Sequence, residues 1–325
     1  MRLFLKKILP FILCQIATIT FAQPLVDAEK TLMDWAQEIA TQPEKMLRIR
    51  AFEQFDSLLL AMLQQPKSYN YSFDSLQTGR TIKSQQDSTY DVFSNRFLPV
   101  YIRVNTGIAI VQPEDKAFRI FTYRLYVAED DYRFGGIIQL KNGQTIHLND
   151  ASATMDILDL PYETLQPANW YGAIYYNVKS FESKSGKKYL LFGFDNYSLH
   201  SNRKITDVLT LNKNAASFGA PVFAKITTGY AEPTYQNRII LEYATDAAVR
   251  LNYDAELKCI IHDHLVPLDV QGKGNVMVTD GSYEGYNYKN KEWLYFEKLP
   301  TLILDEAPRE KPILDNRKKD ILGRQ

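Results

Sequence analysis

The sequence predicts a mainly β protein built from antiparallel sheets, with a pair of helices near its N-terminus. From Tyr69 onward, short runs rich in Val, Ile, Tyr and Phe alternate with turn residues, as strands and hairpins do. No amphipathic helices separate these runs, which favours antiparallel over parallel sheets. The 21 Tyr and 17 Phe residues suit half-buried, pleated surfaces. We expect a sandwich or a barrel-like arrangement; a propeller is the lesser alternative, because no repeat of constant period occurs.

Residues 1–22 have the three parts of a secretory signal peptide. An apolar run over 8–19 follows a positive start, and Thr20-Phe21-Ala22 places small residues on the N-terminal side of a cleavage site. The positive charges of the start are Arg2, Lys6 and Lys7. The apolar run is shorter than the roughly 20 residues that cross a bilayer. We therefore expect cleavage after Ala22 and export to the periplasm or the extracellular space.

Two other interpretations of this segment are open. Cys14 would be the lipid-attachment residue of a lipoprotein, but Ile12 and Leu13 precede it where small residues are needed. A buried N-terminal helix is the second interpretation, and the order of charged and apolar residues disfavours it. After cleavage the chain would keep one cysteine, Cys259, in an apolar run that predicts a buried, inert thiol.

Charge and motifs exclude several classes of function. The 38 basic and 38 acidic residues balance, so there is no basic surface that would predict nucleic-acid binding. After the first 22 residues no apolar run reaches bilayer length, so no transmembrane segment is expected in the mature chain. The sequence has neither a P-loop nor a dinucleotide fingerprint, and no cofactor is expected. It also lacks the G-x-S-x-G elbow of serine hydrolases.

Two helices are expected over residues 24–65, forming a helical hairpin over residues 23–66. Apolar residues recur at threes and fours in both: Leu25, Leu32, Trp35, Ala36 and Ile39, then Leu47, Ala51, Phe55, Leu58 and Met62. Thr41-Gln42-Pro43-Glu44 matches a capping box, which predicts that the second helix begins there. The wide apolar face of this helix packs on a sheet or, as the alternative, on a partner.

An antiparallel β domain is expected over 67–300. Hairpins are predicted for 108–111 with 118–123, for 136–140 with 144–148 about Lys141-Asn142-Gly143, for 170–181 with 189–194, and for 283–288 with 292–298 about Asn290. Strands 238–243 and 249–253 are expected to pair, and 257–266 to form a strand that Pro267 ends. Residues 75–91 are expected to form a long loop, with a weak strand in it as the alternative, and residues 301–325 a flexible tail.

His262-Asp263-His264 is the best local candidate for a metal site. Alternation along a strand places the His262 and His264 imidazoles on one face, where they can share a metal ion. A third ligand is needed, and the sequence does not identify it. The other interpretation is a strand end that leaves the core. Catalytic residues are not identified.

Four phrases are similar to those of a family of exported proteins from bacteroidete-type bacteria. They are Ser201-Asn202-Arg203-Lys204, Phe218-Gly219-Ala220-Pro221-Val222-Phe223, Asp263-His264-Leu265 with Pro267, and Asp280-Gly281-Ser282-Tyr283-Glu284-Gly285. The resemblance covers about half of the mature chain, from Trp170 to Leu299. It implies export in a Gram-negative cell and assigns no activity, ligand or catalytic residue.

We expect an exported binding or scaffolding protein of the cell envelope, whose partner is an envelope protein or a glycan. The motivating features are the leader sequence, the aromatic β-rich body and the lack of catalytic signatures. The alternative is a secreted hydrolase of glycan or peptide, metal-assisted through His262 and His264.

Overall fold

A computed structural model describes residues 24–91, 96–104, 107–226, 232–270 and 274–299. The expected signal peptide and the expected tail over 301–325 lie outside these ranges. Within them, the protein is mainly β, with an N-terminal pair of helices. No helix in the described part of the chain is long and apolar enough to cross a membrane.

The helices are α1 (Leu25–Thr41), α2 (Lys45–Leu63) and the short α3 (Asp74–Thr78). Single 3-10 turns span Ser68–Asn70, Ser152–Thr154, Leu160–Tyr162 and Pro167–Asn169. The strands in chain order are β1 (Arg80–Asp91), β2 (Arg96–Val104), β3 (Ala109–Val111), β4 (Phe118–Ala128), β5 (Asp131–Leu140), β6 (Thr145–Asn149), β7 (Ile174–Ser183), β8 (Gly186–Asp195), β9 (Ser201–Asn212), β10 (Ala215–Phe218), β11 (Phe223–Lys225), β12 (Thr234–Gln236), β13 (Ile239–Ala244), β14 (Leu251–Asp254), β15 (Cys259–Val270), β16 (Gly274–Lys289) and β17 (Glu292–Phe296).

The described strands form four sheets. The four-stranded sheet has the order β3-β4-β5-β6, and the five-stranded sheet has the order β10-β9-β8-β7 with β13 also on β9. The six-stranded sheet has the order β12-β11-β17-β16-β15-β14, and β1 and β2 form a separate ribbon. Pairing between described strands is antiparallel except for β11 with β17.

Three apolar cores separate four stacked layers. The first core lies between the α1–α2 pair and the four-stranded sheet, where Phe55 of α2 and Phe121 of β4 are both buried. The second lies between the four-stranded and five-stranded sheets, and it contains Ile120 of β4 and Leu191 of β8. The third joins the five-stranded to the six-stranded sheet through Phe192 of β8 and Trp293 of β17.

Strand alternation explains why the central sheets are apolar on both faces. In β8, Tyr189 and Leu191 belong to the second core, whereas Leu190 and Phe192 belong to the third. All four side chains are therefore buried, and the strand reads as a continuous apolar run although its neighbours are antiparallel. The sequence predicted this strand and its hairpin with β7 correctly.

The three other hairpins that the sequence predicts are confirmed as well. β5 and β6 meet around Asn142-Gly143, with Gly143 at φ +87°, and β16 and β17 meet around Asn290 at φ +54°. β3 pairs with β4 as expected. The helical pair is confirmed as well, and its apolar stripe packs on the four-stranded sheet.

Four local expectations are wrong. The strand over 239–244 pairs with β9 and the strand over 251–254 pairs with β15, so these two do not pair with each other. β15 continues through Pro267, which lies opposite Met277. Residues 75–91 contain most of α3 and all of β1, so the long loop is wrong, whereas the strand that was its alternative is confirmed over Arg80–Asp91. α2 begins at Lys45 without a side-chain cap, because the Thr41 hydroxyl donates backwards to the Gln37 carbonyl at 2.8 Å.

A buried ion pair fixes β13 to its neighbours. The side chains of Arg238 and Asp207 are fully buried, and Arg238 Nε lies 3.3 Å from Asp207 Oδ1. The same guanidinium donates to the carbonyl oxygens of Leu160, Glu163 and Phe218. Arg238, the residue directly before β13, thus joins this strand to β9, to the end of β10 and to the loop that follows β6.

Replacing Arg238 by Met should destabilise the protein strongly. It removes the cation from the buried Asp207 carboxylate, whose Oδ1 then keeps only the Val208 amide as a donor. Breaking a buried ion pair in this way costs about 3–5 kcal/mol. Urea unfolding followed by circular dichroism measures the loss. Arg250→Met is the matched control, since Arg250 pairs with Asp254 at the surface and should change the midpoint little. Equal midpoints for the two variants would contradict the prediction.

Candidate functional site

A groove of the described chain lies between α2 and the β5–β6 hairpin. Its volume is about 570 Å³. The residues that line it are Phe52, Glu53, Asp56 and Ser57 of α2, Asp131 to Gly135 of β5, His147 to Asn149 of β6, and Asp150 and Ala153 beyond β6. Aromatic and ionisable side chains are thus both present on its walls.

Helix and strand periodicities place the polar side chains. Phe52 and Asp56 are four residues apart and lie on one side of α2, next to the buried Phe55. In β6, His147 and Asn149 share the face that meets the helices, while Leu148 enters the core behind the sheet. The helix and the hairpin therefore present a carboxylate and an imidazole to each other.

Four side chains form a hydrogen-bonded row across this junction. The Tyr123 hydroxyl donates to Asp56. His147 Nε2 lies 2.9 and 3.0 Å from the two Asp56 oxygens, and His147 Nδ1 lies 2.9 Å from Asn149 Oδ1. These partners favour a proton on each ring nitrogen. The hydrogen bond to Asp56 raises the pKa of His147 above its usual value.

Burial and the adjacent carboxylate keep the phenol of Tyr123 protonated. Its pKa is raised, first by burial and then by the charge of Asp56. The ring reaches Asp56 by lying across Gly135 of the neighbouring strand, where an added Cβ would meet the ring at 2.1 Å. Gly135 is therefore required for the position of the Tyr123 hydroxyl.

Asp150 closes one end of the groove. Its carboxylate accepts hydrogen bonds from the Phe134 amide at 2.8 Å, the Ser152 amide at 2.9 Å and the Ser152 hydroxyl at 2.7 Å. Burial raises its pKa. Gly172 sits against it at φ +80°, and a Cβ there would lie 2.4 Å from Asp150 Oδ1. The carboxylate is thus held rigidly by its surroundings.

The arrangement suits recognition better than histidine-based catalysis. A general base needs a ring nitrogen that can take a proton from a nucleophile. Both nitrogens of His147 are already hydrogen-bonded, to Asp56 and to Asn149. The carboxylates of Asp56 and Asp150 likewise accept bonds from the protein. What the groove offers a ligand is a set of fixed charges and dipoles beside the rings of Phe52 and Tyr132.

His262 and His264, the predicted metal ligands, occupy different surroundings. His262 is buried, with Nδ1 3.1 Å from the Asp263 carbonyl oxygen and 3.5 Å from Glu284 Oε1. His264 is partly exposed, and its Nδ1 lies 2.8 Å from Asp280 Oδ2. The register of β15 and β16 shifts between Asp263 and Leu265, so regular alternation stops at His264.

No cluster of three or more His, Cys, Asp or Glu side chains suited to a metal ion occurs in the described part of the chain. The metal site at His262 and His264 stays a prediction. Burial lowers the pKa of His262, which leaves its ring neutral. Cys259, at the start of the same strand, is buried and unpaired, and burial raises the pKa of its thiol. This agrees with the inert thiol that its apolar surroundings predict.

Sequence reasoning missed Asp56, His147 and Asp150. Asp56 and His147 are 91 residues apart, so no local spacing connects them. The available signals were a carboxylate beside the apolar stripe of α2 and a histidine that alternates with Asn149 in a short strand. Both are common on ordinary surfaces.

No protein-family model, no curated protein and no solved structure matches the chain. The resemblance to exported bacteroidete-type proteins stays an expectation from the sequence.

Replacing Asp56 by Asn should lower the pKa of His147. The wild-type pKa is expected above the usual 6.5 of histidine. Because the folded pKa is raised, the pair stabilises the fold fully below about pH 6.5, and this contribution is lost as pH rises through the folded pKa. An NMR titration of the His147 ring measures the shift. Asn149→Ala should have the smaller effect, and an unchanged pKa in Asp56→Asn would refute the pairing.

Replacing Gly135 by Ala should move the Tyr123 ring away from Asp56. The new methyl group occupies the space of the ring, so the hydroxyl loses its acceptor. We expect a lower thermal midpoint and a shifted tyrosine signal in near-ultraviolet circular dichroism. Tyr123→Phe removes the same hydrogen bond without the steric conflict and should destabilise less. A Gly135→Ala variant as stable as the wild type would contradict the proposed packing.

Proposed function

We propose that the protein is an exported binding or scaffolding protein of the cell envelope, and that the groove between α2 and β5–β6 holds a glycan. The observation that carries the proposal is the hydrogen-bonded row of Asp56, His147 and Asn149, which is rigid and has its imidazole fully engaged. Such a row recognises hydroxyl groups without needing to move a proton.

The walls of the groove match the two faces of a sugar ring. Phe52 and the partly exposed Tyr132 supply aromatic surface for the apolar C–H face. Asp131 and Asn149 supply acceptors, and Arg133 supplies donors, for hydroxyl groups at the ring edge. A mainly apolar wall with a few fixed polar groups is the usual composition of a small-molecule site.

Tyr132 also belongs to a larger aromatic surface. Its ring centroid lies 5.3 Å from that of Tyr126, which is about half exposed, and the Arg48 guanidinium lies over Tyr126 at 5.7 Å. This surface extends the groove along β4 and β5. A glycan of more than one residue would use it for further stacking.

Export supports the assignment to the envelope. The leader over residues 1–22 predicts it, and the resemblance to exported proteins agrees. N-terminal analysis of the protein from its native cells should find Gln23 first. A chain that keeps Met1 would refute export by this route.

Titration of the mature protein with soluble envelope oligosaccharides should give saturable NMR shifts in residues 131–135 and 147–150. Tyr132→Ala should weaken the strongest ligand by about fivefold to tenfold, since an aromatic contact contributes about 1 kcal/mol. Tyr283→Ala, at an exposed tyrosine of β16 away from the groove, is the control and should bind normally. Equal affinities of the Tyr132→Ala and Tyr283→Ala variants for the ligand would exclude this groove as the binding site. An envelope protein that binds the groove in place of every glycan would support the scaffolding alternative.

The rival function is a secreted hydrolase of glycan or peptide, with a metal ion at His262 and His264. Of these two histidines, His264 is the more exposed, and it pairs with the exposed carboxylate of Asp280. Elemental analysis of protein purified without chelators, before and after His264→Ala, tests the metal. A stoichiometric metal that the substitution removes, together with turnover of the bound oligosaccharide, would favour the hydrolase.

A further inference from the structure

Arg119 is a buried cation whose hydrogen-bond partners among the described residues are all neutral. It lies in β4 on the face that meets the helices, and it is 6% exposed. Its guanidinium donates to Gln139 Oε1 and to the carbonyl oxygens of Ser68 and Tyr71 at 2.6–2.7 Å, with a further bond to Gln139 at 3.3 Å. Among the described residues, no Asp or Glu forms an ion pair with it.

Three aromatic rings also lie near the Arg119 guanidinium. The rings of Tyr69, Phe73 and Phe121 each lie 5.2 Å from the guanidinium carbon. Burial lowers the pKa of Arg119 to about 10, so the group stays charged at neutral pH. A guanidinium has five N–H donors, and the four bonds to Gln139, Ser68 and Tyr71 leave one on Nη1.

Arg119 forms part of a polar pocket of about 400 Å³. A second pocket of about 710 Å³ lies beside it, and the two share Tyr69, Asn70 and Lys116 as lining residues. The second pocket adds Lys67 and Lys141. Four cations and no carboxylate therefore line the two pockets, as far as the described residues go, in a chain whose total charge is balanced.

The nearest acidic residue in sequence is directed elsewhere. Asp115 Oδ2 lies 2.5 Å from Lys187 Nζ and accepts from the Tyr189 hydroxyl at 2.9 Å. The Asp115 carboxylate is thus bonded to two side chains of β8. Lys116, the next residue, lines both pockets.

We infer that the two pockets form one anion-binding channel, in which an oxyanion of the ligand meets Arg119 and the ammonium groups of Lys116, Lys67 and Lys141. The ligand class is a small molecule that carries a carboxylate or a phosphate group. Both groups present the paired oxygens that Arg and Lys recognise. The channel is distinct from the groove at Asp56 and His147, and the inference does not depend on the proposed function.

Titration of the mature protein with inorganic phosphate, and separately with acetate, tests the channel. Sodium chloride keeps the ionic strength constant, because surface charges are screened by salt. We expect saturable NMR shifts in the amides of residues 68–72 and 112–119. Saturation by phosphate alone assigns a phosphate ligand, and saturation by acetate alone assigns a carboxylate ligand.

The triple variant Lys67→Gln, Lys116→Gln and Lys141→Gln should weaken this binding by about fivefold or more, because it removes three of the four positive charges that line the channel. Lys258→Gln is the matched control: Lys258 is exposed, has φ +54° like Lys116, and lies in the turn between β14 and β15. Arg119→Lys keeps the charge and loses the planar fork, so it should abolish saturation if it folds. Shifts that never saturate, or equal affinities in the triple variant and the control, would overturn the inference.

Discussion

Burial of the two central sheets on both faces is the constraint on which the structure depends. The four-stranded sheet is covered by helices on one side and by the five-stranded sheet on the other, and the five-stranded sheet is covered in turn by the six-stranded one. The middle residues of these strands are covered on both faces, so a polar side chain buried among them needs a partner. Arg238 with Asp207 and Arg119 with Gln139 meet this requirement. Ligand chemistry is consequently confined to the margins of the layers.

Both sites described above lie at the margin of the helical layer. The groove uses the side of α2 next to β5 and β6, and the channel uses the segment that follows α2, where Gln64 and Lys67 line its outer part. Their charges are opposite, since the groove contains four carboxylates and the channel four cations among the described residues. α2 therefore does more than cover an apolar sheet: it provides one wall of the groove, and the segment that follows it provides one wall of the channel.

The sequence was sufficient where short-range rules apply. Asn142-Gly143 and Asn290 fixed two hairpins, and the apolar stripes of 25–39 and 47–62 fixed the helices. It was insufficient for β13 and β14, because pairing across a sheet depends on partners that local turns do not specify. It was also insufficient for the groove, whose Asp56 and His147 come together only when α2 packs on the sheet. For the channel, the sequence offered one hint: Arg119 is a charged residue within the otherwise apolar run Phe118-Arg119-Ile120-Phe121.

The single cysteine of the described chain has a practical consequence. Cys259 is buried at the start of β15, beside the core that joins the five-stranded and six-stranded sheets. A thiol reagent reaches it only when that strand detaches, so its labelling rate reports local opening of the outermost layer. Comparing that rate with the global unfolding rate would show whether the outermost sheet separates first, without introducing any mutation.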